Sequence, residues 1–152
     1  MNGVLRGALR GALAGAAATV PMTAVMLGAE AAGLLFVPPP KQITANAERQ
    51  SGVRGQLSQP AFTASWLAAH FGFGTGMGVL YEAARPLLPG PAWLKGLLFG
   101  GAVWAVSYTK VLPGLGLYPP PSQDRDTRSA TMVAAHAVYG ATLAELDQDW
   151  RG

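Results

Sequence analysis

The sequence predicts an all-α fold: an integral membrane four-helix bundle built from two tandem helical hairpins. Three observations carry this expectation. Hydrophobic residues make up 50% of the chain and charged residues 12%, about half the charged share of an ordinary soluble domain. Four long apolar segments therefore have too little charge to cover a surface facing water. One phrase also occurs twice: Pro38-Pro39-Pro40 precedes Ala68-Ala69-His70, and Pro119-Pro120-Pro121 precedes Ala134-Ala135-His136. Mean hydropathy is only +0.25, because the apolar runs are built from Ala and Gly rather than Leu and Ile.

A spanning helix needs roughly 20 apolar residues. The first span is expected at about 11–37, entered past Arg6 and Arg10 and interrupted by Glu30. Pro21 lies inside it, removes one backbone bond and predicts a kink near Ala17. Thr19 or Thr23 can re-satisfy the freed carbonyl. A polar stretch follows, in which Lys41 to Gln50 reads as a short surface helix with Ile43 and Ala47 toward lipid. The second span is expected at 60–84, where Pro60 suits a first helical turn. Pro89-Gly90-Pro91 makes the turn into a third span at 91–112, ended by Pro113-Gly114. The fourth span, 127–146, is entered past Asp124 and Asp126, which suit a helix N-terminus. The whole chain, 1–152, reads as one transmembrane domain.

The duplication divides it into a first repeat of about 1–85 and a second of about 90–147. The triple prolines stand 81 residues apart and the histidines 66, so the first loop carries a 15-residue insertion. Two spans per repeat give both copies one orientation, with their symmetry axis along the membrane normal. Each histidine falls about 15 Å past its helix start, near mid-membrane. Four spans put both termini on one side. Arg6, Arg10, Arg85, Lys95 and Arg151 flank that side, and Lys41, Arg49, Arg54, Lys110, Arg125 and Arg128 the other. Arg6 and Arg10 favour cytoplasmic termini.

Composition excludes several classes. There is no cysteine, so there is no disulfide framework and no thiolate chemistry. The net charge of +3 is scattered, which argues against nucleic acid. The first apolar run is too long for a cleaved signal peptide. No nucleophile elbow, phosphate loop or paired-carboxylate site is present. The expectation leans away from an enzyme.

The candidate residues fall into three groups. Gly3, Gly7, Gly11 and Gly15 recur every four residues, continued by Thr19 and Thr23; Gly72, Gly74, Gly76 and Gly78 crowd the second span; Gly96 and Gly100 form a further pair. Small faces let helix backbones approach closely in lipid. They serve either internal packing or docking of another subunit, and the stripe from Gly3 to Gly15 is the best candidate for an outside partner. His70 and His136 are ionisable groups at membrane depth, where polarity is costly. They fit a buried pair bonded to Thr63, Ser65, Thr75, Ser107, Thr131 or Thr142, a proton relay, or a bis-histidine haem b. No other cofactor and no metal is expected. Glu30 and Lys110 occupy near-equivalent points of the two repeats and predict an ion pair across the bundle. The four tryptophans and Tyr81, Tyr108, Tyr118 and Tyr139 fit interfacial aromatic belts, with Trp66 and Trp104 deeper.

Gly28-Ala29-Glu30 before the first triple proline resembles the first segment of YagU-like bacterial inner-membrane proteins. Gly96-Leu97-Leu98, Gly101-Ala102 and Gly116-Leu117-Tyr118-Pro119-Pro120 match the same family, as do the two histidine helices. The resemblance covers most of the chain, with shorter loops here. It implies a multi-pass inner-membrane protein of unassigned activity, with a proposed link to acid tolerance in one branch. The functional expectation is a structural or accessory subunit whose partners are lipid, other membrane subunits or a second copy. The alternatives are a proton- or ion-linked protein using Glu30, His70 and His136, and a haem redox module.

Overall fold

Each long helix begins and ends where local chemistry dictates. The computed structural model describes residues 2–151, and among them there is no strand. Helix α1 (Gly3–Ala31) starts at Asn2, whose side chain accepts from Leu5 N–H at 2.9 Å. It stops at Ala31, short of the expected Val37. Gly33 adopts φ +74°, and Gly33 and Leu34 N–H bond back to Glu30 and Ala29 carbonyls, closing the end in a Schellman turn. Helix α2 (Pro39–Gln50) opens on prolines whose missing N–H costs nothing there. It ends in the same turn at Gly52. Helix α3 (Gln59–Ala84) is capped by Ser58. Helix α4 (Ala92–Val106) continues through a π turn, Ser107–Val111, into Leu112–Gly114. Pro113 has no N–H for Thr109, so the ladder widens one turn earlier. Helix α5 is Asp126–Asp149.

Pro21 does not break α1. Thr19 donates to Gly15 O at 2.8 Å and Thr23 to Thr19 O at 2.7 Å, so neither hydroxyl reaches the Ala17 carbonyl.

The four long helices neighbour one another in the order α3, α1, α5, α4, and α2 lies on α3. The α1–α3 and α4–α5 contacts are backbone against backbone. A Cβ at Gly11 or Gly15 would strike the carbonyl of Gly78 or Gly74, and one at Gly96 or Gly100 that of Gly140 or His136. Thr19 Oγ1 fills the space above Gly74. Gly140 is thus a central packing residue that sequence reasoning overlooked. Gly3, Gly72 and Gly76 face open space, and a Cβ at Gly7 would meet only the Glu82 and Arg10 side chains, at 3.7 and 3.9 Å. Ala14, Ala18, Met22, Met26, Ala135, Tyr139 and Leu143 complete the buried centre.

Tyr81, Tyr108, Tyr118 and Tyr139 are buried, so they are not belt residues; Trp66, expected deeper, is buried, and Trp93 and Trp150 are the exposed pair. Ile43, expected toward lipid, instead faces inward toward α3 and α4. Among the described residues one helix, α1, is long and apolar enough to cross a membrane by length and composition. Large apolar side chains nonetheless stand exposed along α1, α3 and α4, including Leu13, Val20, Leu27, Phe73, Leu80, Leu98 and Val106.

One end of the molecule is tied by charge. Asp147, with 1% of its side chain exposed, meets Arg10 Nε at 2.9 Å, Arg151 Nε at 3.0 Å and Arg85 Nε at 3.7 Å. Glu82 meets Arg10 at 2.6 Å and also pairs with Arg151. The network joins α1, α3 and α5. Burial alone would raise the Asp147 carboxyl, but hydrogen bonds from Arg151 and Arg10 outweigh it and hold the group below its ordinary value.

Two predictions follow from these contacts. Gly140→Leu or Gly78→Leu will destabilise the protein by about 3 kcal/mol, because the obstacle is backbone. Gly72→Leu and Gly76→Leu will change stability by less than about 1 kcal/mol; thermal unfolding in detergent compares the four. Asp147→Asn will cost about 3 kcal/mol near neutrality, because Arg85 loses its carboxylate and Arg10 and Arg151 are left to share Glu82 alone. A carboxylate held below about 3.9 contributes fully above that pH and loses its contribution as pH falls through the folded value. The gap in unfolding midpoint between wild type and Asp147→Asn will therefore stay constant from neutral pH to about pH 5 and close below about pH 4.

Candidate functional site

α3 and α4 meet through side chains at the charged end, where Tyr81 and Phe99 pack edge to face with centroids 5.3 Å apart. Along the rest of their length their backbones stay apart. The gap between them is a cavity of about 270 Å³. Its floor is α1 and α5, through Thr19, Met22, Met132, His136 and Tyr139. Phe73 on α3 and Val111 on α4, both about half exposed, stand on its rim. Pro39, Pro40, Ile43 and Thr44 of α2 close one end.

The π turn matters here. Widening the helix turns Ser107, Tyr108 and Val111 toward the cavity together. Tyr108 is held by its hydroxyl, which donates to Asp124 and lies 3.2 Å from Ser129 Oγ. Asp124 in turn pairs with Arg128 at 3.3 Å, and Arg128 donates to Tyr118 OH at 3.1 Å. Burial pushes the Tyr118 phenol up to about 12, although Arg128 acts the other way. Asn46 fixes α2 over this end by donating to Leu117 O at 2.7 Å.

Both histidines line this one cavity. His136 is 8% exposed and His70 9%. Their partners are not the residues the sequence suggested. His136 Nδ1 lies 2.8 Å from Met132 O on its own helix, and His70 Nε2 lies 3.0 Å from Thr23 Oγ1 on α1. Tyr139, one turn past His136, donates to Gly74 O at 2.6 Å and links α5 to α3. Trp104 also lines the cavity, and its buried Nε1–H has no partner.

Glu30 and Lys110 do not meet. Glu30 pairs with Lys41 at 3.3 Å, and Lys110 is exposed on the π turn. The Schellman turn at Gly33 brings α2 back beside the end of α1, so the nearer cation captures the carboxylate. Glu30 is outside the cavity lining, as is Lys110. Glu82 pairs with Arg10 and Arg151 at the charged end.

Among the described residues no three His, Asp or Glu side chains converge as a metal site would require. His70 spends Nε2 on Thr23, so the pair is not posed to grip an iron between two Nε2 atoms. The site is an apolar chamber that holds two imidazoles and no charged side chain.

Thr23, Tyr139 and Trp104 were missed as site residues. Tyr139 carried a signal, three positions from His136 and hence on the same helix face. Thr23 carried none, because its partner lies on another helix.

A family model described as a family of unknown function, DUF6789, matches residues 5–150. No curated protein matches the chain, and neither does any solved structure. Nothing in these comparisons links it to YagU-like proteins.

Thr23→Val will leave His70 Nε2 without its partner in an apolar wall. We expect a loss of about 1–3 kcal/mol in detergent unfolding, against a few tenths for Thr63→Val, which is exposed.

Proposed function

The chain belongs to the DUF6789 family, whose function is unknown, and we propose that it is a multi-pass membrane protein that binds a small lipid-like molecule between its helices. The observation that carries this reading is the apolar cavity with its mouth between α3 and α4. A mouth rimmed by Phe73 and Val111 opens onto whatever solvates the outer helix faces. Those faces carry Leu13, Val20, Leu80, Leu98 and Val106 exposed. Charges gather toward the two ends: Arg10, Glu82, Lys95 and Asp147 at one, and Glu30, Lys41, Arg54, Asp124 and Arg128 at the other. That distribution suits a bilayer, with α1, α3, α4 and α5 as its four spans.

Duplication of a two-helix unit is part of the proposal. Gly96 stands 81 positions after Gly15, and Gly140 stands 66 after Gly74. These are the offsets of the triple prolines and of the histidines, and each glycine pair makes the same close crossing. The four small faces hold the helices as a zipper. The cavity then lies between the two repeats.

The earlier expectation of a docking subunit loses its strongest motif here. Gly11, Gly15, Gly74, Gly78, Gly96 and Gly100 are occupied by neighbouring helices of the same chain. The proton-linked alternative keeps the two histidines and loses Glu30 and Lys110 from the cavity. A bacterial inner membrane with cytoplasmic termini remains the proposed setting.

The absence of cysteine makes the test direct. Leu87→Cys in the α3–α4 turn will label from one side of sealed membranes, and Ser51→Cys and Ser122→Cys from the other. Protein purified in mild detergent will release an apolar small molecule in mass spectrometry, and Ala69→Trp at the cavity will abolish its retention. Labelling of all three from one side, or no ligand in wild type, would overturn the reading.

A further inference from the structure

We propose that the cavity selects an uncharged ligand bearing a hydroxyl group, and that His136 Nε2 accepts the ligand's O–H. This rests on the binding reading above and names the ligand class for that site.

The hydrogen-bond inventory leads there. Met132 O can only accept, so His136 Nδ1, 2.8 Å away, carries the ring proton. Nε2 is then a bare lone pair, and no hydrogen bond to it forms among the described residues. The Thr23 hydroxyl gives its proton to Thr19 O at 2.7 Å. His70 Nε2, 3.0 Å from Thr23 Oγ1, must therefore be the donor in that contact. Its proton fixes the tautomer and leaves Nδ1 as the acceptor. No carboxylate lines the cavity to accompany an imidazolium, so both rings are carried neutral.

Both tyrosine hydroxyls deeper in the wall are committed, whereas the Trp104 Nε1–H is a donor without a partner. Tyr139 OH is spent on Gly74 O and Tyr108 OH on Asp124. Thr44 and Ser107 have hydroxyls that donate or accept, and so complement an alcohol. The absence of a charged side chain from the lining disfavours phosphate or ammonium head groups. An ether or ester could accept from the Trp104 Nε1–H but would leave the His136 lone pair unmet, whereas a hydroxyl can accept from a donor and still give its O–H to His136. A cavity of about 270 Å³ holds roughly nine water-sized groups at ~30 Å³ each. That is the size of an alcohol head and a short apolar stem, with any longer tail leaving past Phe73 and Val111.

Bromobenzyl alcohol and its methyl ether are suitable probes, since they differ chiefly in the O–H. Trp104 lines the cavity and reports occupancy through quenching by bromine once Trp66, Trp93 and Trp150 are changed to Phe. After correction for partition into micelles, the alcohol should half-quench Trp104 at about ten-fold lower concentration than the ether, the worth of one hydrogen bond. His136→Phe should make the two probes equal, and His136→Gln, which keeps an acceptor, should preserve the preference. Equal quenching by both probes in the parent protein, or a preference that survives His136→Phe, overturns the inference and leaves the binding reading standing. Quenching by neither removes both.

Discussion

Contact between the carbonyl of one helix and the Cα of another is possible only where no Cβ intervenes, and the rest of this structure depends on that contact. Gly11 and Gly15 meet Gly78 and Gly74; Gly96 and Gly100 meet Gly140 and the His136 backbone. Each crossing holds two helices rigidly at short range. The pairs then join through α1 and α5, with Ala14, Ala18, Met22, Ala135 and Leu143 between them. Because α1 and α5 occupy the middle of the row, α3 and α4 are left at its ends. The cavity is the space they do not close. Tight packing at the glycines and the opening at Phe73 and Val111 are thus two results of one arrangement.

Polar groups are distributed to match. Arginines and carboxylates gather at one end around Asp147, where three helices terminate and their charges can compensate one another. Between the ends, most deep polar groups are answered by a short-range partner within the chain, the Trp104 Nε1–H excepted. Thr19 and Thr23 return protons to carbonyls four residues back, and Tyr139 reaches Gly74 O. The nitrogens left over, His136 Nε2, His70 Nδ1 and Trp104 Nε1, belong to residues that line the same chamber. A site of this kind is built by satisfying everything except the atoms that a ligand will meet.

The all-helical class, the order of the helices and the placing of each histidine well inside its helix were legible from apolar segment length, proline and glycine punctuation and the repeated Ala-Ala-His phrase. Those signals are local, or repeat at fixed offsets. Which glycines pack was only half legible: the four-residue spacing marks Gly72 and Gly76 as strongly as Gly74 and Gly78, yet only the latter pair faces α1. The choice depends on the rotation of α3 about its axis, which its neighbours set. Gly140 was passed over because it is a lone glycine, and its close partners are on α4.

By itself the sequence determined the order of the helices, since prolines and caps act within a few residues, but not the end of α1, which the Schellman turn at Gly33 sets at Ala31 rather than at Val37. It also determined that two histidines lie at comparable distances along their helices, because spacing along a helix is fixed by its rise. Tertiary structure alone decided that both rings share one cavity, that Thr23 and Met132 are their partners, and that Glu30 turns to Lys41 rather than Lys110. The reason is physical: a hydrogen bond or ion pair between helices is set by their relative rotation and by where the chain between them turns. Gly33 makes that turn for Glu30, and the glycine crossings set the rotation for the histidines.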